Sequence, residues 1–184
     1  MSGSLLLGLD WREGDAADLP FGDDAFDVTL SCVGHVFANP PGAVAEELLR
    51  VTRPGGRIAF TSWTPESVVP ALGALVGEYR PPDPDPTPPP FAWGDPDVVA
   101  ERLGSGVEDL SFEGGTVHYG ALSPEHWWAG VNEESGLFIV ALSGVDGADR
   151  QALDREAIDL IERYFDDGVN AVRMDYRVTT ATVR

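Results

Sequence analysis

The chain has 184 residues, 43% of them hydrophobic, and its 31 acidic and 12 basic residues give a formal net charge of -19. This length and composition predict one globular domain and exclude a disordered chain. The acidic excess argues against nucleic acids and membranes as partners, because phosphate backbones and anionic lipids bind proteins through cationic side chains. One explanation of the excess is a source genome that is rich in G and C or adapted to high salt. The other is a function in which the negative charge attracts a cationic ligand or partner.

The first fifteen residues predict two short strands, at 5–9 (LLLGL) and at 11–15 (WREGD). The run Leu5 to Leu7 is too short for the core of a signal peptide, and no positively charged residue precedes it. No apolar run in the chain approaches the length that crosses a bilayer. These features predict a soluble, cytoplasmic protein.

Residues 26–63 alternate between strand and helix patterns. The segment 26–33 (FDVTLSCV) is β-branched and apolar, which predicts a strand buried on both faces and makes Cys32 a buried, inert thiol. Apolar residues recur at helical intervals over 42–52, and the Arg-Pro-Gly-Gly sequence that follows ends this helix. The next strand is predicted over 57–63 (RIAFTSW). This order of elements predicts an α/β sheet.

The middle of the chain contains a stretch, 81–91, with seven prolines in eleven positions. Such a stretch is extended and stiff, and it forms either a spacer or a rigid lid beside a substrate. A helix is predicted before it, over 67–79. A second helix is predicted over 95–103, where Asp95 is the cap and a proline takes the first helical position.

The last third of the chain predicts two further helices and two extended segments. Residues 107–120 form a strand or a hairpin, and Ser123 followed by proline opens a helix by the same capping pattern. One apolar face over 150–165 predicts an amphipathic helix. The tail, 174–183, alternates and is rich in Val and Thr, which predicts the last strand.

Three sequence blocks occur in the order and at the spacing found in one enzyme family. GDAADLPF (14–21) resembles its third-strand segment along the adenine, FDVTLSCVGHVF (26–37) its fourth strand and turn, and ELLRVTRPGGRIAFTSWTP (47–65) the following helix, glycine turn and fifth strand. A weaker likeness in FAWGDPDVVAERLG (91–104) and SPEHWW (123–128) falls in the substrate-side half. The chain thus resembles a class I S-adenosylmethionine-dependent methyltransferase of the type 11 group.

This resemblance implies an α/β, Rossmann-like methyltransferase fold. The fold is a three-layer sandwich around a mostly parallel sheet with a reversed C-terminal hairpin, which 107–120 and the tail strand would form. The resemblance implies one domain over 1–184, in which the proline-rich stretch leads into a substrate-side or lid region at about 91–150.

The sequence departs from the family pattern at its beginning. The family's Gly-x-Gly-x-Gly turn, whose bare backbone approaches the methionine part of the cofactor, is absent. Asp10 resembles the acidic residue that binds the ribose hydroxyls, but only four residues separate it from Asp15, too few for the intervening helix. Asp10 is therefore either the ribose acid of a chain with an internal deletion or a chance match. The expectation is a truncated domain that lacks the first strand–helix units.

The resemblance assigns four other site residues. The Asp15 carboxylate would accept from the adenine amino group, the Ala16 amide would donate to a ring nitrogen, and Ser31 would lie near the cofactor. His35 is the candidate acceptor-side base, since an ordinary histidine pKa near 6.5 suits proton removal near neutrality. In the alternative interpretations, Asp15 only caps a turn and His35 only packs against its surroundings.

Other candidate groups are less specific. The three histidines are too scattered in the sequence to predict a metal site. The tryptophans at 63, 93, 127 and 128 either line an apolar substrate pocket or pack in the core.

The function implied by the resemblance is methyl transfer from S-adenosylmethionine to a small-molecule acceptor. This reaction is an in-line displacement that depends on positioning the reactants and excluding water. The alternative is a catalytically inactive, truncated methyltransferase-like protein that acts as a binding or partner subunit. A sheet without its first strands exposes an edge, so a homo-oligomer or a pairing with another chain through that edge is expected.

Overall fold

The computed structural model of the protein describes residues 8–81 and 89–184, and these contain five strands and six helices. The strands are β1 (Phe26–Cys32), β2 (Thr52–Trp63), β3 (Val107–Gly120), β4 (Phe165–Asp166) and β5 (Ala171–Val183). The helices are α1 (Pro41–Val51), α2 (Val68–Glu78), α3 (Pro96–Leu103), α4 (Pro124–Glu134), α5 (Gly136–Ala141) and α6 (Gly147–Glu162). Short 3₁₀ helices cover Gly34–Phe37, Pro90–Gly94 and Gly104–Gly106.

The two helices with predicted caps begin where the sequence indicates. The Asp95 side chain accepts from the backbone N–H groups of Asp97 (2.9 Å) and Val98 (3.4 Å), which α3 leaves without partners inside the helix. The Ser123 hydroxyl accepts from the His126 backbone N–H (3.2 Å) at the start of α4. Both predictions of a capped helix with proline at its first position are confirmed.

The sheet has the order β1-β2-β5-β3. The short strand β4 pairs with the first two residues of β5, on the edge opposite β3. β1 and β2 are parallel, and β5 is antiparallel to both β2 and β3. Three of the four long strands therefore share one direction, and β5 is reversed. The predicted α/β fold with a reversed C-terminal pair is confirmed, although the segment 121–170, with three helices, separates β3 from β5.

The core lies between the sheet and its helices. Ile58 and Phe60 of β2 are 1% and 2% exposed, and they lie opposite Ala181 and Thr179 of β5, which are equally buried. Helix α1 contacts β2 and α3, while α2 contacts β5 and α6. Burial of the apolar side chains between these layers supplies the main driving force for folding.

Strand β1 differs from its prediction, because it is not buried on both faces. Val28 and Leu30 are 50% and 74% exposed, and Cys32 is exposed as well. The predicted buried thiol is therefore wrong. Val28, Leu30 and Cys32 occupy alternate positions and so lie on one face of β1, and among the described residues this face of the edge strand is left uncovered.

The predicted strand at 11–15 is also wrong. Within this segment the structure has only an isolated β-bridge, from Asp15 to Asp18, and the Trp11 side chain is 86% exposed. Residues 5–7 of the other predicted strand lie outside the described residues, and 8–9 have no regular structure. Most of the proline-rich stretch, 82–88, likewise lies outside them. Over the part of the chain that is described, no helix is both long and apolar enough to cross a bilayer.

Candidate functional site

An open cavity of about 720 Å³ lies at the edge of the sheet where β2 and β3 end. These two strands share one direction, so their last residues, Trp63 and Gly120, meet at the same edge, and both line the cavity. Met174, near the start of the reversed strand β5, also lines it. Ligands of α/β sheets bind outside the carboxyl ends of the strands, so this is where a small molecule is expected.

The cavity is mainly aromatic and apolar. Trp127 of α4, Phe138 of α5 and Met174 are buried and form its floor. Phe37 and Tyr119 are 45% and 52% exposed at its mouth. Flat aromatic faces of this kind favour a ligand with an apolar, planar part.

Polar groups at the cavity are the side chains of His126, Glu134 and Ser135, the Tyr119 hydroxyl, and the indole N–H groups of Trp63 and Trp127. Trp127 Nε1 is buried without a partner among the described residues. The Leu122 backbone N–H donates to His126 Nδ1 (3.3 Å), which places the proton of the neutral ring on Nε2. His126 and Glu134 are exposed and lie at opposite ends of α4. The lining therefore offers a ring nitrogen, two hydroxyl groups and one carboxylate, and no arginine is among the lining residues described.

The turn after β1 brings together two of the predicted site residues. His35 Nδ1 lies 2.9 Å from Ser31 Oγ, and the His35 backbone N–H donates to the same oxygen (3.2 Å). Between them, Val33 has a φ of 60°, a left-handed conformation that a β-branched residue rarely adopts. Such strain is concentrated at functional sites. Phe37, at the end of the same turn, lines the cavity.

His35 itself is buried in an aromatic cluster. It is 3% exposed, and its ring centroid lies 4.5 Å from that of Phe60 and 4.8 Å from that of Trp93. Burial, helped by the nearby Arg102 charge, lowers the pKa of His35 to about 4. Its Nε2 is buried without a partner among the described residues. This environment favours the packing alternative, and the role of His35 as a base stays a prediction.

The segment GDAADLPF forms a compact turn rather than a strand. Asp15 Oδ1 accepts from the Ala17 backbone N–H (2.9 Å), and the Asp15 carbonyl accepts from the Asp18 N–H (3.0 Å). A Cβ atom on Gly14 would lie 2.7 Å from Pro20 Cδ, so the turn closes too tightly for a side chain there. Asp15 does cap a turn, yet it is exposed and keeps Oδ2 available. The Ala16 amide has no acceptor among the described residues.

Helix α1 holds this turn through Arg50 and Glu47. Arg50 donates to Glu47 (2.6 and 2.7 Å) and to the carbonyl oxygens of Phe21 (2.8 Å) and Leu19 (3.2 Å). Glu47 accepts from the Leu19 N–H (2.7 Å), and hydrogen bonding to Arg50 lowers the pKa of Glu47. This network explains why the blocks 14–21 and 47–65 occur together: one supplies the turn and the other its anchor.

The remaining predicted residue, Asp10, is exposed and forms a salt bridge with Arg12 (2.9 Å). Among the described residues, no hydrogen bond or salt bridge joins Asp10, Asp15 or Ala16 to Ser31. Of the tryptophans, Trp63 and Trp127 line the cavity, whereas Trp93 and Trp128 pack in the core.

Sequence reasoning did not identify Glu134, Tyr119 or Phe37 as lining residues. No local signal distinguishes them: Glu134 is one of 31 acidic residues, and the two aromatic side chains lie in ordinary strand and turn patterns. Only the antiparallel pairing of β3 with β5 and the packing of α4 bring them to one cavity.

A family profile described as a methyltransferase domain matches residues 2–60. An uncharacterized protein of Mycobacterium tuberculosis is 34% identical over 181 residues, which cover 97% of this chain and 65% of the relative. A demethylmenaquinone methyltransferase of Paenarthrobacter aurescens is 39% identical over 71 residues, which cover 39% of this chain and 28% of that enzyme. The chain thus spans about two-thirds of the length of the first of these relatives.

Solved structures agree on the fold. A Bacillus halodurans protein described as a candidate methyltransferase superposes with a TM-score of 0.56 at 19% identity, covering 95% of this chain and 77% of that one. The [4+2]-cyclase SpnF superposes with a TM-score of 0.50 at 21% identity, covering 95% of this chain and 56% of that one. Because a cyclase shares the fold, the fold alone does not specify the reaction.

Proposed function

We propose that this chain, which belongs to the class I S-adenosylmethionine-dependent methyltransferases, supports methyl transfer from S-adenosylmethionine to a small-molecule acceptor. The observation that carries the proposal is the turn from Ser31 to Phe37. One end of this turn holds the Ser31–His35 pair at the end of β1, and the other end lines the cavity. A cofactor beside Ser31 would therefore border an acceptor in the cavity.

The residues present fit the adenosyl part of the cofactor. Asp15 Oδ2 is an available acceptor for an adenine amino group, and the free Ala16 amide is an available donor for a ring nitrogen. The Arg50–Glu47 network holds the chain directly after the turn, at Leu19 and Phe21, and so helps to order these atoms before a ligand arrives. When bound, S-adenosylmethionine supplies an activated methyl group.

The cavity would hold the acceptor and displace water from its apolar floor. Its apolar floor, formed by Trp127, Phe138 and Met174, favours an apolar acceptor body over water. Displacement at a methyl carbon depends mainly on the alignment of the reacting atoms, which a walled cavity supplies. His35 is neutral at pH 7 because its pKa is about 4, so any contribution as a base is a weak one.

Calorimetric titration with S-adenosylhomocysteine tests the cofactor site. Asp15→Asn keeps an oxygen for the Ala17 amide but replaces the second oxygen with a donor, so we expect binding about tenfold weaker, as for the loss of one hydrogen bond to a charged group. Asp18→Asn is the matched control, because it removes the same charge from the other side of the turn. Equal affinity of both variants and the wild type would refute the adenine role of Asp15.

The alternative candidate is a binding or partner subunit, and the edge of the sheet favours it. Strand β1 has no strand neighbour on one side within the described residues, and Val28 and Leu30 are exposed on one face of this edge strand. Unpaired edges of this kind recruit another chain or a second copy. Absence of heat with S-adenosylhomocysteine, together with a dimer in sedimentation that Leu30→Lys dissociates, would favour this candidate over methyl transfer.

A further inference from the structure

We infer that the cavity selects an acceptor with an aromatic or otherwise planar apolar body and a cationic amine, with Glu134 recognising the amine. The inference rests on the methyl-transfer function proposed above, since it names the class of molecule that the same cavity takes. It follows from three properties of the lining: its size and aromatic faces, the placement of its polar groups, and the sign of its charge.

The size and walls of the cavity suit a ring-bearing small molecule. Its volume of about 720 Å³ is within the range of small-molecule sites, and its floor is the buried trio Trp127, Phe138 and Met174. Phe37 and Tyr119 add aromatic faces at the mouth. Aromatic faces attract planar rings, and they also attract cations through the negative potential above the ring.

The polar groups are separated along one helix. His126 and Glu134 are eight positions apart on α4, which corresponds to about 12 Å along the helix axis. Eight residues turn a helix by two full turns and about 80° more, which is within a stripe about 100° wide, and both groups do line the cavity. A ligand of one or two rings that lies on the floor therefore reaches Glu134 with a short polar arm.

The charge of the lining favours a cation. Glu134 is the one acidic side chain of the lining, and no arginine is among the described lining residues. The chain as a whole carries a net charge of -19, which raises the local concentration of cations. A carboxylate or phosphate ligand would find no arginine among the described lining residues and would face the Glu134 carboxylate.

Three probes with the same ring system and different charges test the inference: naphthylmethylamine, naphthylmethanol and naphthoate. Their affinities are measured by calorimetry on the full chain at low salt. We expect the amine to bind about fivefold more tightly than the alcohol, which corresponds to an exposed ion pair, and naphthoate to bind most weakly. Glu134→Gln should make the amine and the alcohol equal without weakening the alcohol. Glu133→Gln, which removes an adjacent charge outside the cavity lining, should preserve the preference.

Several results would overturn the inference. These are equal binding of amine and alcohol by the wild type, a preference that survives Glu134→Gln, an equal loss of preference in Glu133→Gln, and no binding of any probe. S-adenosylhomocysteine is titrated into the same samples, so that the two proposals can fail separately. Cofactor binding without an amine preference refutes the acceptor class alone, whereas an amine preference that depends on Glu134 without cofactor binding refutes methyl transfer alone.

Discussion

Acidification is expected to destabilise the protein through His35. Because this ring is buried, its pKa is lowered from 6.5 to about 4 in the folded protein, whereas the unfolded chain keeps the ordinary value. Between these two values the unfolded state binds more protons than the folded state, so stability is lost as the pH falls from about 6.5 toward 4. Well above pH 6.5 the ring is neutral in both states and contributes no pH dependence.

The magnitude follows from the difference between the two pKa values. One pKa unit corresponds to about 1.4 kcal/mol. Because the unfolded chain takes up the proton more readily than the folded protein, the free energy of unfolding falls by about 3 kcal/mol once the pH is below 4. At pH 5, where the folded ring is still mostly neutral, the loss relative to pH 7 is about 2 kcal/mol. This is a large share of the total stability of a domain, which is about 5 to 15 kcal/mol.

The assay is urea unfolding at pH 7 and pH 5, followed by tryptophan fluorescence. Carboxylates also begin to titrate near pH 5, so the loss of stability from pH 7 to pH 5 is compared between the wild type and His35→Asn. The asparagine keeps an amide that can bond to Ser31, but it does not titrate. We expect the wild type to lose about 2 kcal/mol more than the variant. His118→Asn is the control, since His118 is an exposed histidine of β3 and the same replacement there tests whether the effect belongs to the buried ring.

The same loss of stability in the wild type and in His35→Asn would refute the reasoning, because it would mean that His35 titrates alike in both states. An equal effect of His118→Asn would have the same consequence, since it would assign the pH dependence to histidines in general. A variant that is unfolded at pH 7 is replaced by His35→Gln, which is also neutral, and the same comparison applies.

Three further predictions concern the packing that positions the site, and urea unfolding measures each. Gly94→Ala should destabilise the protein by about 1 to 3 kcal/mol, because the added Cβ would overlap the Trp63 carbonyl group. Gly73→Ala, in α2, meets open space and should raise the free energy of unfolding by about 0.5 to 1 kcal/mol. Leu72→Ala should cost about 2 to 5 kcal/mol, because Leu72 is 0% exposed; a smaller loss would contradict its place in the core. Asp95→Ala should cost about 1 kcal/mol through the loss of the α3 cap, and Asp95→Asn, which keeps the cap, should cost less.

Much of the fold follows from local sequence signals. The caps at Asp95 and Ser123, the helical periodicity before Arg53 and the alternation in the tail each specify an element that needs no distant partner to be recognised. The blocks that resemble the methyltransferase family supplied the α/β architecture and the reversed terminal strand. Helix α5 was not predicted, because a six-residue apolar segment has too few turns to show a period.

Errors arose where a local pattern depends on neighbours. The segment 26–33 reads as a buried strand, yet Leu30 and Cys32 are exposed, because burial of a strand depends on what lies beside it and over it. The same limit applies to 11–15, since a strand without a partner leaves its backbone groups unpaired and does not form.

The sequence by itself determined most of the longer helices and strands, the resemblance to a methyltransferase family, and the chemical identity of the turn at Asp15. The tertiary structure alone decided that His35 is buried beside Phe60 and that Glu134 and Tyr119 border one cavity. The reason is physical. Capping and periodicity act over a few residues, whereas burial, pKa values and cavities depend on groups that are far apart in the chain and meet only when the sheet and its helices pack together.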